Sequence, residues 1–536
     1  MGIMRSWITG VLALMLTMCP PARSSTPDDD VVVAISLNSI ISFDPAESFE
    51  TVSTSCLAFL YQTLVKSDRE DATQLRPDLA LSWREGKAGR SLIFQLDPGA
   101  TFASGAPVLA DDVIFSLSRA VKLNRTPVFI LNELGWEPGN IDRQFRKIDD
   151  HQLEIRWSNE ISSELALRLL SSSVASVVDS KRVLAFSESG DFGNRWLKTR
   201  SAGSGGYQIR HYIPQQSLLL ETNPYAQRMP RLRRVILKDV VDPSVRRLLL
   251  LQGDVDAAYS LSADQFSALM GQPGIRVEMI PGNKVYYLGF NTAASDAEFL
   301  GNPAFWQAAR WLVDYEGLAS GLLKNQFTVH QNFLPQGIDG AVTEAPFRLD
   351  VEKAKAILAQ AGIPAGSRFS LMVINQPPYT DIAQALQASF ALADIRIDVQ
   401  PLLESELWSR MRARRFQAVF VYWGPDYADP NSNAGAFAFN MPGRPQTLAS
   451  RLSWRIPALS QLTHLAAAER DPRQRREDYR VLQQAVRENS PFVVMMQGKL
   501  LVAVRDNLLN VRMGMSNSVL YFDEIDKMAA AAPSAR

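Results

Sequence analysis

Residues suited to catalysis or metal binding are few and far apart in this chain. The histidines are His151, His211, His330 and His464, and no His-Glu-x-x-His motif occurs. The glycine-rich residues 203–207 lack the Lys-Ser/Thr ending of a phosphate loop and the Gly-x-Ser-x-Gly pattern of a nucleophile elbow, and they indicate a chain reversal before a strand. We therefore expect no catalytic residue, no metal site and no cofactor.

The best candidate for binding chemistry is Asp426. It follows the apolar, strand-like residues 418–422 and a break at Gly424-Pro425. Its carboxylate should therefore emerge at a strand end, where open α/β sheets usually place ligands. Asp429 precedes a Pro-Asn pair and is expected to cap a turn instead.

The elements that would position such a site alternate between strands and helices. Residues 31–37 and 91–96 have strand patterns, and Asp350 can cap a helix that ends before Gly362. A strand at 369–374, a helix at 380–393 and a strand at 395–399 then predict a parallel α/β lobe. Because one continuous core rarely exceeds about 300 residues, a chain of 536 residues should form two or more lobes.

Residues 1–24 have the features of a cleavable export signal. An apolar run at 7–18 follows Arg5, and small residues precede the expected cleavage after Ser24. The run is shorter than the roughly 20 residues needed to span a bilayer, and the bulky Met18 beside Cys19 disfavours a lipid anchor. We expect export to the periplasm.

Composition excludes several partners. Lysine plus arginine and aspartate plus glutamate both number 56, so there is no basic surplus to attract nucleic acid or an anionic membrane. The mature chain would keep only Cys56, in an apolar helical stretch, which predicts a buried small side chain and no internal disulfide. The local cluster Arg473, Arg475 and Arg476 is predicted to be a solvated helix face.

Short sequence blocks occur along the chain in the order of a known family. They are Asp44-Pro45-Ala46, Pro-Asp-Leu-Ala-Leu-Ser-Trp at 77–83, Phe-Ala-Ser-Gly-Ala-Pro at 102–107, Ala-Asp-Asp-Val-Ile-Phe-Ser at 110–116, Glu-Thr-Asn-Pro-Tyr at 221–225, Leu-Gln-Gly-Asp-Val-Asp-Ala-Ala at 251–258, Gly-Phe-Asn-Thr at 289–292 and Trp-Gly-Pro-Asp-Tyr at 423–427. With them the chain resembles the periplasmic oligopeptide/dipeptide-binding family of ABC-transporter solute-binding proteins. One departure is Leu109, where the family usually has Ser or Thr as a helix cap.

The resemblance implies an α/β, two-lobed periplasmic-binding-protein fold with an additional domain inserted in the first lobe and a ligand cleft between the lobes. It divides the chain into a signal peptide (1–24), lobe one (25–61, 201–283 and 506–536), an extra domain of lobe one (62–200) and lobe two (284–505).

The resemblance also implies a set of ligand contacts. In the family's matching motif, an aspartate at the position of Asp426 holds a peptide's α-ammonium, and the backbone at Trp423 and Gly424 pairs with an extended peptide. Trp423 is equally plausible as a core aromatic. Asn291, after a strand-like segment, could bind ligand backbone or form a turn. Tyr427 and Phe49 are the remaining expected cleft contacts.

The function implied is capture of a short peptide, or an amino-acid-like amine, for delivery to an inner-membrane ABC permease, by a protein expected to be a monomer. The same family includes members for oligosaccharides, opines and metal complexes, and these alternatives stay open; Trp423 and Tyr427 could stack on a sugar. A receptor that signals its loaded state would use the same cleft. A secreted hydrolase is the alternative from another class, but the sequence supplies no nucleophile, base and acid at recognisable spacing.

Overall fold

The computed structural model describes residues 26–87, 89–443, 446–514 and 520–528. The predicted export signal, with Cys19, lies outside the described residues. Within these ranges, no helix has the length and apolar character needed to cross a membrane.

Strands and helices alternate along most of the described chain. The strands are β1 (Asp30–Ile35), β2 (Val65–Ser67), β3 (Leu75–Pro77), β4 (Ala80–Glu85), β5 (Ser91–Leu96), β6 (Phe145–Asp149), β7 (Gln152–Arg156), β8 (Tyr207–Ile213), β9 (Ser217–Thr222), β10 (Arg234–Asp239), β11 (Ala257–Tyr259), β12 (Ile275–Phe290), β13 (Phe327–Val329), β14 (Arg368–Ile374), β15 (Arg396–Leu402), β16 (Ala418–Trp423), β17 (Phe492–Arg505), β18 (Leu508–Leu509) and β19 (Asp526–Lys527). The helices are α1 (Thr51–Leu60), α2 (Ala110–Leu123), α3 (Val128–Asn132), α4 (Ser163–Leu170), α5 (Ser180–Ala185), α6 (Asn194–Leu197), α7 (Pro243–Gln252), α8 (Ala263–Leu269), α9 (Pro303–Trp311), α10 (Val351–Gln360), α11 (Tyr379–Ala391), α12 (Glu404–Arg412), α13 (Pro430–Phe437), α14 (Leu448–Arg451), α15 (Pro457–Ala468) and α16 (Pro472–Asn489). Short 3₁₀ turns occur at Ile141–Arg143, Ser173–Ala175 and Glu298–Gly301, and a π turn at Gly317–Leu322.

One large mixed sheet runs through the molecule in the order β15-β14-β16-β12-β17-β11-β1-β10-β9-β8. At one end β14 pairs in parallel with both β15 and β16, which confirms the predicted parallel α/β lobe. At the other end β1 pairs in parallel with β10 and β11. The long strands β12 and β17 pair with each other between these two ends, so they join the two lobes.

A second, four-stranded sheet, β4-β5-β7-β6, lies outside the large sheet. Its apolar side chains share a core with helices α2, α3 and α4, and this core is separate from the cores around the two ends of the large sheet. The architecture is therefore the expected two-lobed α/β fold with an additional domain. The residue boundaries given above for the domains stay a prediction.

A buried ion pair fixes the additional domain to the N-terminal segment. The guanidinium of Arg119 on α2 donates to both carboxylate oxygens of Asp44, at 2.8 and 2.5 Å, and both side chains are inaccessible to solvent. Asn194 donates a further hydrogen bond to Asp44 at 2.7 Å. Leu109 occupies the N-cap position of α2, and its side chain makes no capping hydrogen bond. The Asp112 carboxylate still accepts a hydrogen bond from the Leu109 backbone N–H at 3.0 Å.

Most local predictions are confirmed, with small shifts at element ends. The strand Ser91–Leu96 has the predicted bounds, Asp350 caps α10 by accepting from the backbone N–H of Lys353, and Gly362 has φ 67° just beyond α10. Cys56 is buried, as predicted.

The prediction of a solvated arginine face on α16 is wrong for Arg475. Arg473 and Arg476 are exposed, but the side chain of Arg475 is only 7% accessible and forms an ion pair with Asp429 at 2.8 Å. Asp429 also accepts from the backbone N–H of Asn431, so it caps α13 as expected. The charged pair is buried because α16 packs against α13, a contact that local sequence spacing does not reveal.

Candidate ligand-binding cleft

A cleft of about 1120 Å³ opens between the two lobes and the additional domain. Its walls come from α1 and the loop before it, from the β2-β3 hairpin, from residues 204–206 and 226–228, and, in the large sheet, from the middle of β12 and the C-terminal end of β16. A concave site of this size, walled by several elements, is the usual setting for a small-molecule or peptide ligand.

Asp426 lies in this cleft in the loop after β16. Its backbone N–H donates to the Ser432 hydroxyl at 2.8 Å. Three residues further on, Asp429 joins the loop to α13 and to Arg475. These contacts hold the loop in place, so the position of the Asp426 side chain does not depend on a partner for its own carboxylate.

The Asp426 carboxylate has no hydrogen bond or ion pair with any residue that the structure describes. Burial raises its pKa to about 7, and the positive charge of Arg451 opposes this rise without forming an ion pair. A carboxylate that is partly removed from water and has no partner is destabilised in its ionised form. The side chain can therefore gain free energy from a cation that enters the cleft.

Lys284 lies on the same wall as Asp426. Its ammonium is 4.2 Å from the centre of the Tyr422 ring, and it forms no hydrogen bond or ion pair within the described chain. Burial lowers the pKa of Lys284, and Glu404 attracts its charge without pairing with it. The Glu404 carboxylate instead accepts from Trp408 and from the Tyr422 hydroxyl, at 3.2 and 2.8 Å.

Other buried polar atoms of cleft residues also lack partners within the described part of the chain. They are the indole Nε1 of Trp423, the hydroxyls of Ser204 and Tyr61, and one carboxylate oxygen of Asp523. Native proteins satisfy nearly all their buried polar groups, so each exception calls for an explanation. A ligand with hydrogen-bonding groups supplies one.

Tyr427 connects lobe two to the additional domain. Its ring packs in the apolar core of that domain, and its hydroxyl donates to Glu133 at 3.0 Å. The Asn431 side chain donates to the same Glu133 oxygen at 3.2 Å. Burial, with smaller contributions from nearby Asp429 and Asp426, raises the pKa of Glu133 to about 7.

Comparison with known proteins identifies the class to which this cleft belongs. A family model described as bacterial extracellular solute-binding proteins, family 5 Middle, matches residues 74–443. The chain belongs to this family. As a family 5 protein, it is similar to the probable D,D-dipeptide-binding periplasmic protein DdpA of Escherichia coli K12, with 27% identity over 494 residues, 91% of this chain and 92% of that relative.

Solved structures show the same fold over nearly the whole family 5 chain. The unliganded open form of MppA, a periplasmic murein tripeptide binding protein, matches with a TM-score of 0.76 and 18% identity over 94% of this chain and 98% of that one. The Helicobacter pylori periplasmic binding protein DppA, in complex with the peptide STSA, matches with a TM-score of 0.75 and 20% identity over 93% and 98%. At these identities the likeness establishes the fold alone.

In this solute-binding protein, five of the six predicted contact residues line one cleft. They are Asp426, Trp423, Gly424, Tyr427 and Phe49. Phe49 is 38% exposed and packs edge-on against Phe129 at 5.6 Å. Their contacts with a ligand stay a prediction.

Asn291 is not brought to the cleft. It follows the end of β12 remote from the cleft, where its side chain donates to the backbone carbonyls of Arg414 and Phe416 at 3.2 and 2.9 Å. Its side-chain oxygen accepts from the backbone N–H of Ala293. The prediction of a ligand contact at Asn291 is therefore corrected to a turn-forming role, the alternative left open by the sequence.

Sequence reasoning missed Lys284 and its neighbour Asn283. Both follow Pro281-Gly282, a pair that would end a strand in most settings. The sequence does contain an indication of this site, because a lysine directly precedes the apolar, strand-like residues 285–290. A charged residue at the start of a buried strand needs either a partner or an opening to a cleft.

Proposed function

We propose that this protein is the periplasmic solute-binding component of an ABC importer and that it captures a short peptide by the peptide's α-ammonium group. The observation that carries the proposal is the unpaired, partly buried carboxylate of Asp426 in the interlobe cleft. An ammonium removed from water needs a charged acceptor, and this carboxylate lacks a cation.

The relatives support the substrate class. Several carry names that specify peptide cargo, including a dipeptide-binding protein of Escherichia coli and a di/tripeptide-binding protein of Pseudomonas aeruginosa. The backbone after β16 supports the same class, because Gly424 and Pro425 line the cleft directly beyond Trp423, the last paired residue of the strand. An extended peptide can pair with such an edge irrespective of its side chains.

Capture would work by closure of the lobes. A peptide that contacts Asp426 on lobe two and the α1 wall of lobe one binds the closed state more tightly than the open state. This difference in affinity drives closure. The protein acts as a monomer in the periplasm, and an inner-membrane permease recognises its closed form.

Isothermal titration calorimetry with L-Ala-L-Ala and D-Ala-D-Ala tests the proposal. We expect saturable binding of at least one of them without turnover, and Asp426→Asn should weaken it by at least about 2 kcal/mol, the scale for removing one partner of a buried charge pair. Glu70→Gln is the matched control, because Glu70 is a cleft carboxylate already paired with Arg512 at 2.6 Å. Unchanged affinity in Asp426→Asn, or an equal loss in both variants, would contradict the assignment.

Native mass spectrometry of protein purified from its own periplasm provides an independent readout. A retained peptide would support the proposal, while a retained sugar, opine or metal complex would replace it.

A further inference from the structure

The additional domain contacts lobe two as well as lobe one. The Tyr427 hydroxyl, in the loop after β16, donates to the Glu133 carboxylate at 3.0 Å, and the Asn431 side chain donates to the same oxygen at 3.2 Å. At a second point, the backbone N–H of Ser162, which caps α4, donates to the carbonyl of Ala467 on α15 at 2.9 Å. Each of these bonds joins a residue of the additional domain to a residue of lobe two.

Apolar packing accompanies these bonds. Tyr427 and Ala467 are only 6% and 7% exposed, and both belong to the apolar core of the additional domain although they lie on elements of lobe two. Withdrawing them would expose apolar surface of both parts to water. The packing therefore favours the arrangement in which lobe two is docked on the additional domain.

On the side of lobe two, the contact is held by a chain of buried polar groups. The Tyr479 hydroxyl donates to the side-chain oxygen of Asn431 at 3.2 Å. Arg475, on the same helix as Tyr479, forms the ion pair with Asp429 described above. Glu133 therefore accepts hydrogen bonds from a loop that is fixed to α16.

Opening of the cleft must break this contact. The buried pair of Arg119 and Asp44 fixes the additional domain to lobe one, while lobe two is joined to lobe one through β12 and β17. Lobe two therefore cannot rotate away from lobe one without withdrawing Tyr427 from the additional domain. Tyr427 also lines the cleft, so the contact lies at the edge of the space that cargo would enter.

We propose that the additional domain is a latch on lobe two, with Glu133 as its positioning residue: the bonds from Tyr427 and Asn431 form as the lobes close and break before cargo enters or leaves. This inference rests on the lobe closure of the proposed function and is independent of the identity of the cargo. The latch lowers the free energy of the closed state with or without cargo, so it sets how fast the cleft opens.

Ser162→Cys combined with Ala467→Cys tests whether the latch forms in solution. The hydrogen bond between the two backbones brings the residues close enough for a disulfide. Cys56 will not compete, because it is buried and burial raises the pKa of its thiol to about 12. We expect oxidation to link the pair without any peptide, and Glu133→Ala should slow the linkage at least fivefold. Glu137→Ala, an exposed carboxylate four residues further on, is the matched control and should leave the rate unchanged.

Peptide kinetics test whether the latch controls access to the cleft. The probe is whichever of L-Ala-L-Ala and D-Ala-D-Ala binds the wild type, and stopped-flow tryptophan fluorescence follows its association. We expect the oxidised Ser162→Cys/Ala467→Cys protein to bind at least 100-fold more slowly than the same protein after reduction. Asn375→Cys with Leu402→Cys is the control disulfide, since these residues of lobe two also share a backbone bond of 2.9 Å, and its oxidation should leave the rate unchanged.

Single substitutions distinguish a latch from a support of the binding loop. Glu133→Ala should release the bound dipeptide at least tenfold faster without slowing its association, because only the closed state loses hydrogen bonds. Glu133→Gln keeps a side-chain oxygen that can accept from Tyr427 and Asn431, so its release rate should stay within threefold of the wild type.

Each opposite result overturns the inference. If the two introduced cysteines do not link, or if Glu133→Ala leaves the linkage rate unchanged, the contact is not a latch. If the oxidised protein binds the dipeptide as fast as the reduced one, the contact does not control access. If Glu133→Ala slows association, Glu133 supports the loop around Asp426 instead. If neither dipeptide binds the reduced protein, the proposed peptide cargo is wrong, while the linkage rates still decide the latch.

Discussion

The affinity for an amine ligand should depend steeply on pH between 5 and 7, because burial raises the pKa of Asp426 to about 7 in the empty cleft. A bound ammonium needs the ionised carboxylate, so binding must first remove the proton from any Asp426 that carries one. At pH 5 only about 1% of a group with this pKa is ionised. An aspartate of ordinary pKa would be more than 90% ionised at the same pH.

The expected magnitude follows directly. From pH 7.5 to pH 5 the dissociation constant of L-Ala-L-Ala should rise roughly 100-fold, close to 2.7 kcal/mol at 1.36 kcal/mol per tenfold change. The pKa of Asp426 is high in the empty cleft and low when an ammonium is bound, so affinity falls as pH falls. Above about pH 8 the peptide's own amino group loses its proton, so the informative window ends there.

Calorimetry in two buffers of different ionisation enthalpy measures the same linkage independently. At pH 6 binding should release about 0.9 proton to the buffer. Asp426→Asn should abolish the release, since the amide cannot titrate. Burial also raises the pKa of Glu133 to about 7, and this carboxyl interacts electrostatically with Asp426. Glu133→Gln is therefore the control, and it should retain most of the proton release on binding.

A dissociation constant that changes by less than twofold between pH 7.5 and pH 5 would refute this reasoning. Proton release that persists in Asp426→Asn would assign the linkage to another group.

Three further predictions concern stability. Burial raises the pKa of Glu133 from its ordinary 4.5 to about 7, so the folded protein favours the neutral carboxyl. The free energy of unfolding should therefore fall by roughly 3 kcal/mol as pH rises through this window. Scanning calorimetry at pH 5 and 8 should show a smaller loss of stability in Glu133→Gln than in the wild type, and an equal loss would contradict the assignment to Glu133. Leu109→Thr should supply the missing cap beside Asp112 and raise the free energy of unfolding by about 1 kcal/mol in urea titrations, whereas a loss of stability would show that the leucine packing matters more. Arg119→Met should leave the buried Asp44 carboxylate uncompensated and cost about 3–5 kcal/mol in the same assay, and a cost under about 1 kcal/mol would mean that the pair is replaceable.

The sequence predicts local structure well where a periodic pattern coincides with burial. β5 is a short, largely apolar segment that is buried at all but one position, and its predicted and observed bounds are the same, Ser91–Leu96. The order of β14, α11 and β15 could be predicted because each segment has its own period and the connections are short. The position of Asp426 at a strand end could be predicted because an apolar strand that is followed by Gly-Pro ends at that pair.

Long-range pairing could not be predicted in this way. Arg475 lies in a run of charges that has the pattern of a solvated helix face, yet its partner Asp429 is 46 residues earlier in the chain. Asn291 follows a strand end as Asp426 does, but β12 is antiparallel to its neighbour β16, so the two residues lie at opposite ends of this strand pair. Strand direction decides which of two similar residues reaches the cleft, and only the fold supplies it.

The interruption of β12 shows how one local irregularity can serve both the architecture and the site. Position 282 requires glycine, because an added Cβ would lie 2.7 Å from the carbonyl oxygen of Gly498 on β17. The side chain of Gln497 donates a hydrogen bond to the Gly282 carbonyl. The close approach keeps β12 and β17 together through the gap in their pairing, so the join between the lobes is not weakened there. The same gap frees residue 284 from the alternation of the sheet, as bulges near functional sites commonly do. A regular strand through residues 281–285 would keep the lobes joined but would fix the Lys284 side chain by the pleat, so the irregular backbone is the physical condition for a lysine in this cleft.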